Sequence, residues 1–351
     1  MSLAATKPCD VGGQAVLEGV MMRSPRCLAI AVRKPSGEIV VKEDVWVSIW
    51  EKLRFLRWPF LRGGVVLFES MHNGIKALSF SARHAGLEDE GVKPDATAPA
   101  TPEKEPTSLA ITLTIVTSLA FGLGLFVALP HFLTWLFGKA TGSLALQGGT
   151  AVAFHLVDGV IKMAIFIGYL WGISRMKEIH RVFQYHGAEH KSIYTYEKGL
   201  ALTVDNARAQ TRLHPRCGTS FLLIVLMTSI LVFSMVTPFL PLFSETKWLN
   251  HLALVFVKIP LMFPIAGLAY EATKLSARRP NHPLVRAFVW PGLMLQKITT
   301  QEPDDSQLEV ALAALKMTLW REEVGTDTHR RDADDVQTFP SYDALASAFS
   351  A

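Results

Sequence analysis

The sequence predicts an all-α integral membrane protein with about four transmembrane helices, joined to a small cytosolic β element at its N-terminus and to helices lying at the membrane surface. Three observations carry this reading. Half of the 351 residues are hydrophobic and the mean hydropathy is positive, with the apolar residues gathered into long runs. Four runs can cross about 30 Å of hydrocarbon, which takes roughly 20 helical residues: Leu109 to Phe137, Ala151 to Ser174, Thr219 to Leu240 and Trp248 to Ala272. Basic residues collect on one side of these runs. Arg175, Lys177, Arg181, Lys191, Lys198, Arg208, Arg212 and Arg216 lie between the second and third, against Lys139 after the first and Lys247 after the third. The positive-inside rule therefore places the loop 175–218 in the cytosol. Lys42, Arg54, Arg57, Arg62 and Lys76 before the first run, and Lys274, Arg278, Arg279 and Arg286 after the fourth, place both termini there too.

In chain order, Met1 to Gln14 has no hydrophobic core or small-residue cleavage site, so no signal peptide is expected. The run from Gly12 to Arg23 has no clear period and reads as a structural loop in which glycines permit a tight turn. From Cys27 to Val47 the residues alternate or are β-branched around Lys34-Pro35-Ser36-Gly37, which predicts a β-hairpin. Trp46, Trp50 and Trp58 interleave with Arg54, Arg57 and Arg62, a mixture suited to the headgroup level. Glu69, His72, Asn73 and Lys76 then recur at helical spacing opposite Val65, Leu67, Phe68, Met71, Ile75 and Leu78, predicting a helix that rests on the membrane or packs on the bundle. These elements make up an N-terminal region, 1–86. Leu87 to Thr107 is proline-rich, acidic and poor in large apolar residues, and is expected to be a flexible linker. The membrane domain follows over 108–300. Acidic residues Glu302, Asp304 and Asp305 open an amphipathic helix over 301–324, and 325–351 is expected to be a mobile tail.

Cys9, Cys27 and Cys217 form no close pair, so a disulfide framework is not expected. The formal net charge of +4 suits anionic lipid headgroups as a partner, with a protein partner also able to meet the basic cytosolic face. No aromatic-interleaved basic stripe is present, so no nucleic acid is expected.

Chemistry concentrates in two places. His186-Gly187-Ala188-Glu189-His190 puts two imidazoles and a carboxylate on one helix face. This arrangement suits a divalent ion, zinc above all, with Glu189 as the base that activates water. Glu197 is seven residues beyond His190, about 10 Å along a helix, and is too far to share the ion. The third ligand must come from elsewhere: His214 and Cys217 are nearest in sequence, with Glu18 and Glu271 as further site-completing candidates. A thiolate would favour a closed structural site, and a carboxylate with an open position would favour catalysis. The competing reading makes the same residues polar contacts of a cytosolic helix, with Cys217 a small buried side chain. The second place is inside the membrane, where Asp158 and Lys258 lie about 25 Å and 24 Å deep and Lys162 is one turn from Asp158. An ion pair of Asp158 with Lys162 or Lys258 is expected, serving as a helix lock or as part of a proton path.

Gly12 to Pro25 (GGQAVLEGVMMRSP), Phe183 to Lys191 (FQYHGAEHK), Arg212 to Phe221 (RLHPRCGTSF) and Pro291 to Asp305 (PGLMLQKITTQEPDD) together resemble the YqhQ-like family of bacterial inner-membrane proteins, a domain of unknown function labelled a predicted metal-dependent enzyme. The resemblance spans roughly Val11 to Trp320. It implies a multi-pass protein of the bacterial inner membrane, and it places His186, Glu189, His190, His214 and Cys217 at family motif positions. It names no substrate. Three functions remain open: a metal-dependent hydrolase, a noncatalytic scaffold with a structural metal, and a small transporter or proton relay built on Asp158, Lys162 and Lys258.

Overall fold

A computed structural model describes residues 9–46, 48–49, 53–58, 60–86, 108–143, 152–241, 243, 246–278, 282–324 and 336–349. The expected linker over 87–107, Trp50, and 325–335 of the expected tail lie outside them. The chain is mostly helical, with an antiparallel β sheet built on its N-terminal region. That sheet has five strands, β1 (Gly12–Val16), β2 (Gly19–Arg23), β3 (Cys27–Arg33), β4 (Ile39–Val45) and β5 (Val336–Phe339), in the order β1-β2-β3-β4-β5.

The expected hairpin is β3–β4, turning at Gly37 with φ 91°. The segment read as a loop is a second hairpin, in which Val16 pairs with Gly19 across Leu17 and Glu18, the latter at φ 49°. Its period was hidden because β2 is buried on both faces, and a strand covered on both sides needs no polar alternation. Val20 and Met22 face one apolar cluster, and Met21 faces the other.

The second cluster is closed by α1 (Leu61–His84), whose Ala77 and Phe80 pack on Leu28, Ile30, Val32 and Val40. The helix is turned opposite to a water-facing one. Glu69 and Asn73 are buried while Phe68, Met71, Ile75 and Leu78 are exposed. Glu69 is drawn inward by Ser48 Oγ at 2.8 Å and the Ile49 amide at 2.7 Å, both donating to its Oε1. The N-terminal end of α1 crosses a later helix at bare backbone, since a Cβ on Gly267 would lie 1.7 Å from the Phe60 carbonyl oxygen.

The first cluster is closed by two helices from distant parts of the chain, α5 (Lys177–Glu197) and α10 (Asp305–Val324). The loop 175–218 is therefore largely helical and packs on the sheet. The expected amphipathic helix over 301–324 is corrected: Leu308, Leu312, Leu315 and Met317 are fully buried, and so are Ala311, Ala313 and Ala314 on other faces. The alanines let sheet and helix approach from both sides. Its start is a reciprocal capping box, in which Asp304 Oδ1 accepts the Gln307 amide at 2.9 Å and Gln307 Oε1 accepts the Asp304 amide at 3.0 Å.

The expected mobile tail is also corrected over 336–349. β5 extends the sheet, and the following helix α11 (Tyr342–Ala348) buries Tyr342 and Leu345. Phe349 packs against Trp320 and Phe339 at ring centroid distances of 4.7 and 5.9 Å. Isolated in sequence, this apolar content is too short to show a period.

Among the described residues, three helical segments are long and apolar enough to cross a membrane: Val116–Ala140, Val152–Ile173 and Gly218–Phe239. The first runs from α2 (Ser108–Leu123) through a π-helical turn into α3 (Leu129–Ala140); the others are α4 (Val152–Ile173) and α7 (Gly218–Val236) with its 3₁₀ extension. Their outward surface is apolar, with Leu119, Phe121, Phe132, Val160, Trp171 and Met235 all exposed. The fourth expected span falls within α8 (Lys247–Arg278), a 32-residue helix interrupted by Pro260 and Pro264, which is not among those three. One more helix, α9 (Pro283–Thr299), packs on α7 and leads back to α5.

Candidate metal centre

Helix α5 carries the site because its burial pattern is set by chemistry as much as by packing. From Tyr185 to Ile193 every residue is buried, and His186, Glu189 and His190 share one face. The helix ends at Gly199, φ 67°, where the Leu200 amide returns to the Thr195 carbonyl in a left-handed cap.

Cys217 reaches this face from the residue just before α7, in extended backbone. His186 Nε2 lies 3.1 Å from Cys217 Sγ, and the ligand atoms of His186, His190 and Cys217 all fall within 4.8 Å of one another. Both imidazoles are oriented by main-chain carbonyls. His186 Nδ1 donates to Thr299 O at 2.7 Å, and His190 Nδ1 donates to Arg212 O. Carbonyls only accept, so each Nδ1 carries a proton, and each Nε2 offers a lone pair to the cluster once it is deprotonated. His190 Nε2 is buried with no hydrogen-bond partner among the described residues. This donor set fits a divalent ion on its own terms: two imidazole lone pairs, one sulfur, and outer carbonyls that lock the rings.

The electrostatics are those of a dry, coupled cluster. Burial pushes the Cys217 thiol up, but the neighbouring His186 and His190 pull it well below its usual range. Burial pushes His186 down, and Cys217 more than reverses this, to about 9. Burial lowers His190. Burial raises Glu189 to about 8, against the pull of His186 and of a hydrogen bond from the Gly13 amide. Glu189 Oε2 has no hydrogen-bond partner among the described residues, and β1 lies so close over this carboxylate that a Cβ on Gly13 would sit 2.8 Å from Glu189 Cγ.

Other candidates lie elsewhere. His214 is buried, but its Nε2 turns to Glu197 at 3.4 Å and its Nδ1 accepts the Arg216 amide at 3.3 Å. Its ring packs on Tyr194 at 4.6 Å, so it stands beside the cluster rather than in it. A turn at Pro215 and Arg216 separates it from Cys217, which does meet His186. Glu18 pairs with Arg181 and accepts from the Tyr185 hydroxyl at 3.2 Å. Glu271 is held by Arg62 through two bonds of 2.5 Å. Neither completes the site. Asp158 pairs with Lys162 at 3.2 Å, while Lys258 lies 5.3 Å from the centroid of the Phe233 ring.

Several supporting residues were not singled out by sequence reasoning. Thr299 and Arg212 contribute only carbonyls, which no side-chain pattern reveals. Gln296 is fully buried and clamps the chain ahead of Cys217: its Oε1 accepts the His214 amide, and its Nε2 reaches His214 O and Ser220 Oγ, each at 2.7 Å. The available signal was Gln296, Thr299 and Thr300 at helical spacing on an otherwise apolar segment. Replacing Gln296 with leucine is expected to cost roughly 2–3 kcal/mol, because it leaves buried backbone groups unmatched, and to weaken zinc binding by letting Cys217 shift. Denaturant unfolding in detergent and a zinc competition titration would measure both.

The cluster opens into a cleft of about 180 Å³ that is also lined by Gly13, Arg23, Asn73 and Arg216. The family model described as a protein of unknown function, DUF1385, matches residues 58–321. The uncharacterized protein YqhQ of Bacillus subtilis (strain 168) is 33% identical over 328 residues, covering 89% of this chain and 93% of that protein. No solved structure matches the chain.

Proposed function

This chain belongs to the DUF1385 family, and from that premise we propose that it is a membrane-embedded, metal-dependent hydrolase whose centre is held by His186, His190 and Cys217. One observation carries the reading: three ligand atoms lie within 4.8 Å of one another, and one of them, His190 Nε2, is buried and otherwise unmatched. Mixed nitrogen and sulfur donors favour zinc. When bound, a divalent ion supplies a Lewis acid and lowers the pKa of water at the site. Glu189 faces the same cleft, and in its ionised form, above the pKa of about 8 that burial gives it, its Oε2 would take a proton from the attacking water and return it to the leaving group. β1 passes directly over that carboxylate at Gly13.

The thiolate supports a second reading, a noncatalytic scaffold in which the ion pins the segment 212–218 to α5. The two separate on one variant. Glu189→Gln leaves metal content unchanged in both, but abolishes turnover across a hydrolase substrate panel only in the first. Cys217 offers a direct check on the centre. It is expected to react with iodoacetamide after chelation and to be protected by stoichiometric zinc, whereas Cys27, which burial pushes to about 11, stays unreacted in both. Equal labelling of Cys217 with and without zinc would remove it as a ligand.

We further infer four membrane crossings with both termini in the cytosol of a bacterial cell, at the inner membrane. The sheet supports this. β1–β4 precede the first span, α5 lies between the second and third, and α10 and β5 follow the third, yet all pack into one unit. They must share one side of the bilayer, so the number of crossings is even. Three spans require a fourth, and α8, about 48 Å long, has the length. The basic margins favour a cytosolic position for that unit, and the exposed apolar face of α1 suits contact with anionic headgroups. Reporter fusions after residue 143 and after residue 324 should read opposite sides.

A further inference from the structure

Four polar atoms lining the cleft have no hydrogen-bond partner among the described residues: Glu189 Oε2, His190 Nε2, Arg23 Nη1 and Asn73 Nδ2. The first two belong to the centre proposed above. The other two do not, and both are donors. Arg23, at the end of β2, is held by the face of Trp46, with the guanidinium carbon 4.7 Å from the ring centroid. Asn73 is 7% exposed on α1. Burial lowers the Arg23 pKa, and Glu69 and Tyr270 offset this in part. Glu69 makes no ion pair with Arg23 within 4 Å among the described residues and already accepts Ser48 and Ile49 through Oε1. A second cation of the cleft, Arg216, is committed to Glu197 and Asp10.

A guanidinium N–H and an amide N–H with no partner among the described residues, beside the proposed centre, are elements of an oxyanion site. We propose that Arg23 and Asn73 form a phosphate-binding subsite that holds a phosphate group of the substrate next to the His186–His190–Cys217 centre. Its purpose rests on the hydrolase reading; its existence does not. The phosphate is that of a free phosphate compound or of a lipid headgroup. A groove of about 900 Å³ lies alongside, lined by Leu28, Ile30, Trp46, Ile49 and Phe80, and shares Asn73 with the cleft. Its apolar walls suit an acyl chain, so the lipid source is the one the surroundings favour.

The test is binding to the full-length protein in a nonionic detergent, with and without one equivalent of zinc. The probes are inorganic phosphate and dioctanoyl phosphatidic acid, followed by calorimetry, and dioctanoylglycerol serves as the lipid lacking phosphate. Binding of either phosphate probe that weakens at least tenfold in both Arg23→Met and Asn73→Leu supports the subsite. Tighter binding of phosphatidic acid than of phosphate, with dioctanoylglycerol weaker still, assigns the lipid source; equal affinity assigns the free one. Wild-type protein that binds neither probe, or variants that bind like wild type, overturns it. If Arg23→Met fails to fold, Asn73→Leu and the charge-preserving Arg23→Lys, which loses the fork, carry the same comparison. Phosphate binding that persists in protein taking up no zinc would sink the metal centre and leave the subsite standing. Zinc uptake without phosphate binding would do the reverse.

Discussion

His190→Ala protein, purified without chelators, is expected to contain almost no zinc, whereas the wild type contains close to one equivalent. Loss of an outer-shell partner alone costs about 10–100-fold in metal affinity, and His190 supplies a direct ligand atom, so its removal should exceed that range. The expectation follows from geometry: His190 Nε2 has no other partner, and its ring is fixed by the Arg212 carbonyl, so nothing else in the cluster can take its place. Elemental mass spectrometry reads the result. His214→Ala provides the contrast. Its nitrogens are engaged by Glu197 and the Arg216 amide, so that variant should retain metal, although with a looser approach of Cys217. Full metal content in His190→Ala, or its absence from wild type, would move the weight to a centre that is purely a hydrogen-bonded cluster.

The contrast between His190 and His214 also shows what the sequence could and could not disclose. The face shared by His186, Glu189 and His190 was legible because helical spacing is a local property. The choice among His214, Cys217, Glu18 and Glu271 was not, because it depends on Glu197 engaging the His214 ring and on which carboxylates Arg181 and Arg62 already hold. The membrane runs were plain from composition. The sheet was legible where a turn signal marked it: β3–β4 announced itself through Lys34-Pro35-Ser36-Gly37, while β2, buried on both faces and without such a signal, looked like a loop. For the same reason α10 was read as amphipathic. Its start was right, because the cap lies in Asp304 and Gln307, but its burial is set by β2, β3 and α5, none of which is near it in sequence. β5 is completed by a pairing with β4 across almost 300 residues, which no local pattern can announce.

Gly187→Ala is expected to destabilise the protein by about 3 kcal/mol or more, whereas Gly13→Ala should cost far less stability yet remove activity. Both glycines sit against the site, and the difference lies in what a methyl group would strike. At Gly187 the added carbon would lie 2.1 Å from the backbone oxygen of Gln301, and overpacking against main chain that cannot swing aside carries costs at the upper end of the 1–3 kcal/mol range. That backbone is anchored: the Gln301 amide donates to Phe183 O at 2.8 Å, and Thr299 two residues earlier accepts from His186. Driving it away therefore unlocks the His186 ring, so zinc affinity should fall together with the unfolding midpoint measured in detergent. At Gly13 the methyl would meet the Glu189 side chain at 2.8–2.9 Å, which can rotate away. Fold and metal should survive that move, but the carboxylate would be pushed from its position against β1, and turnover would fall as in Glu189→Gln. If Gly13→Ala and Gly187→Ala instead lost stability equally, β1 would be a rigid wall of the centre and not merely a positioner of its base.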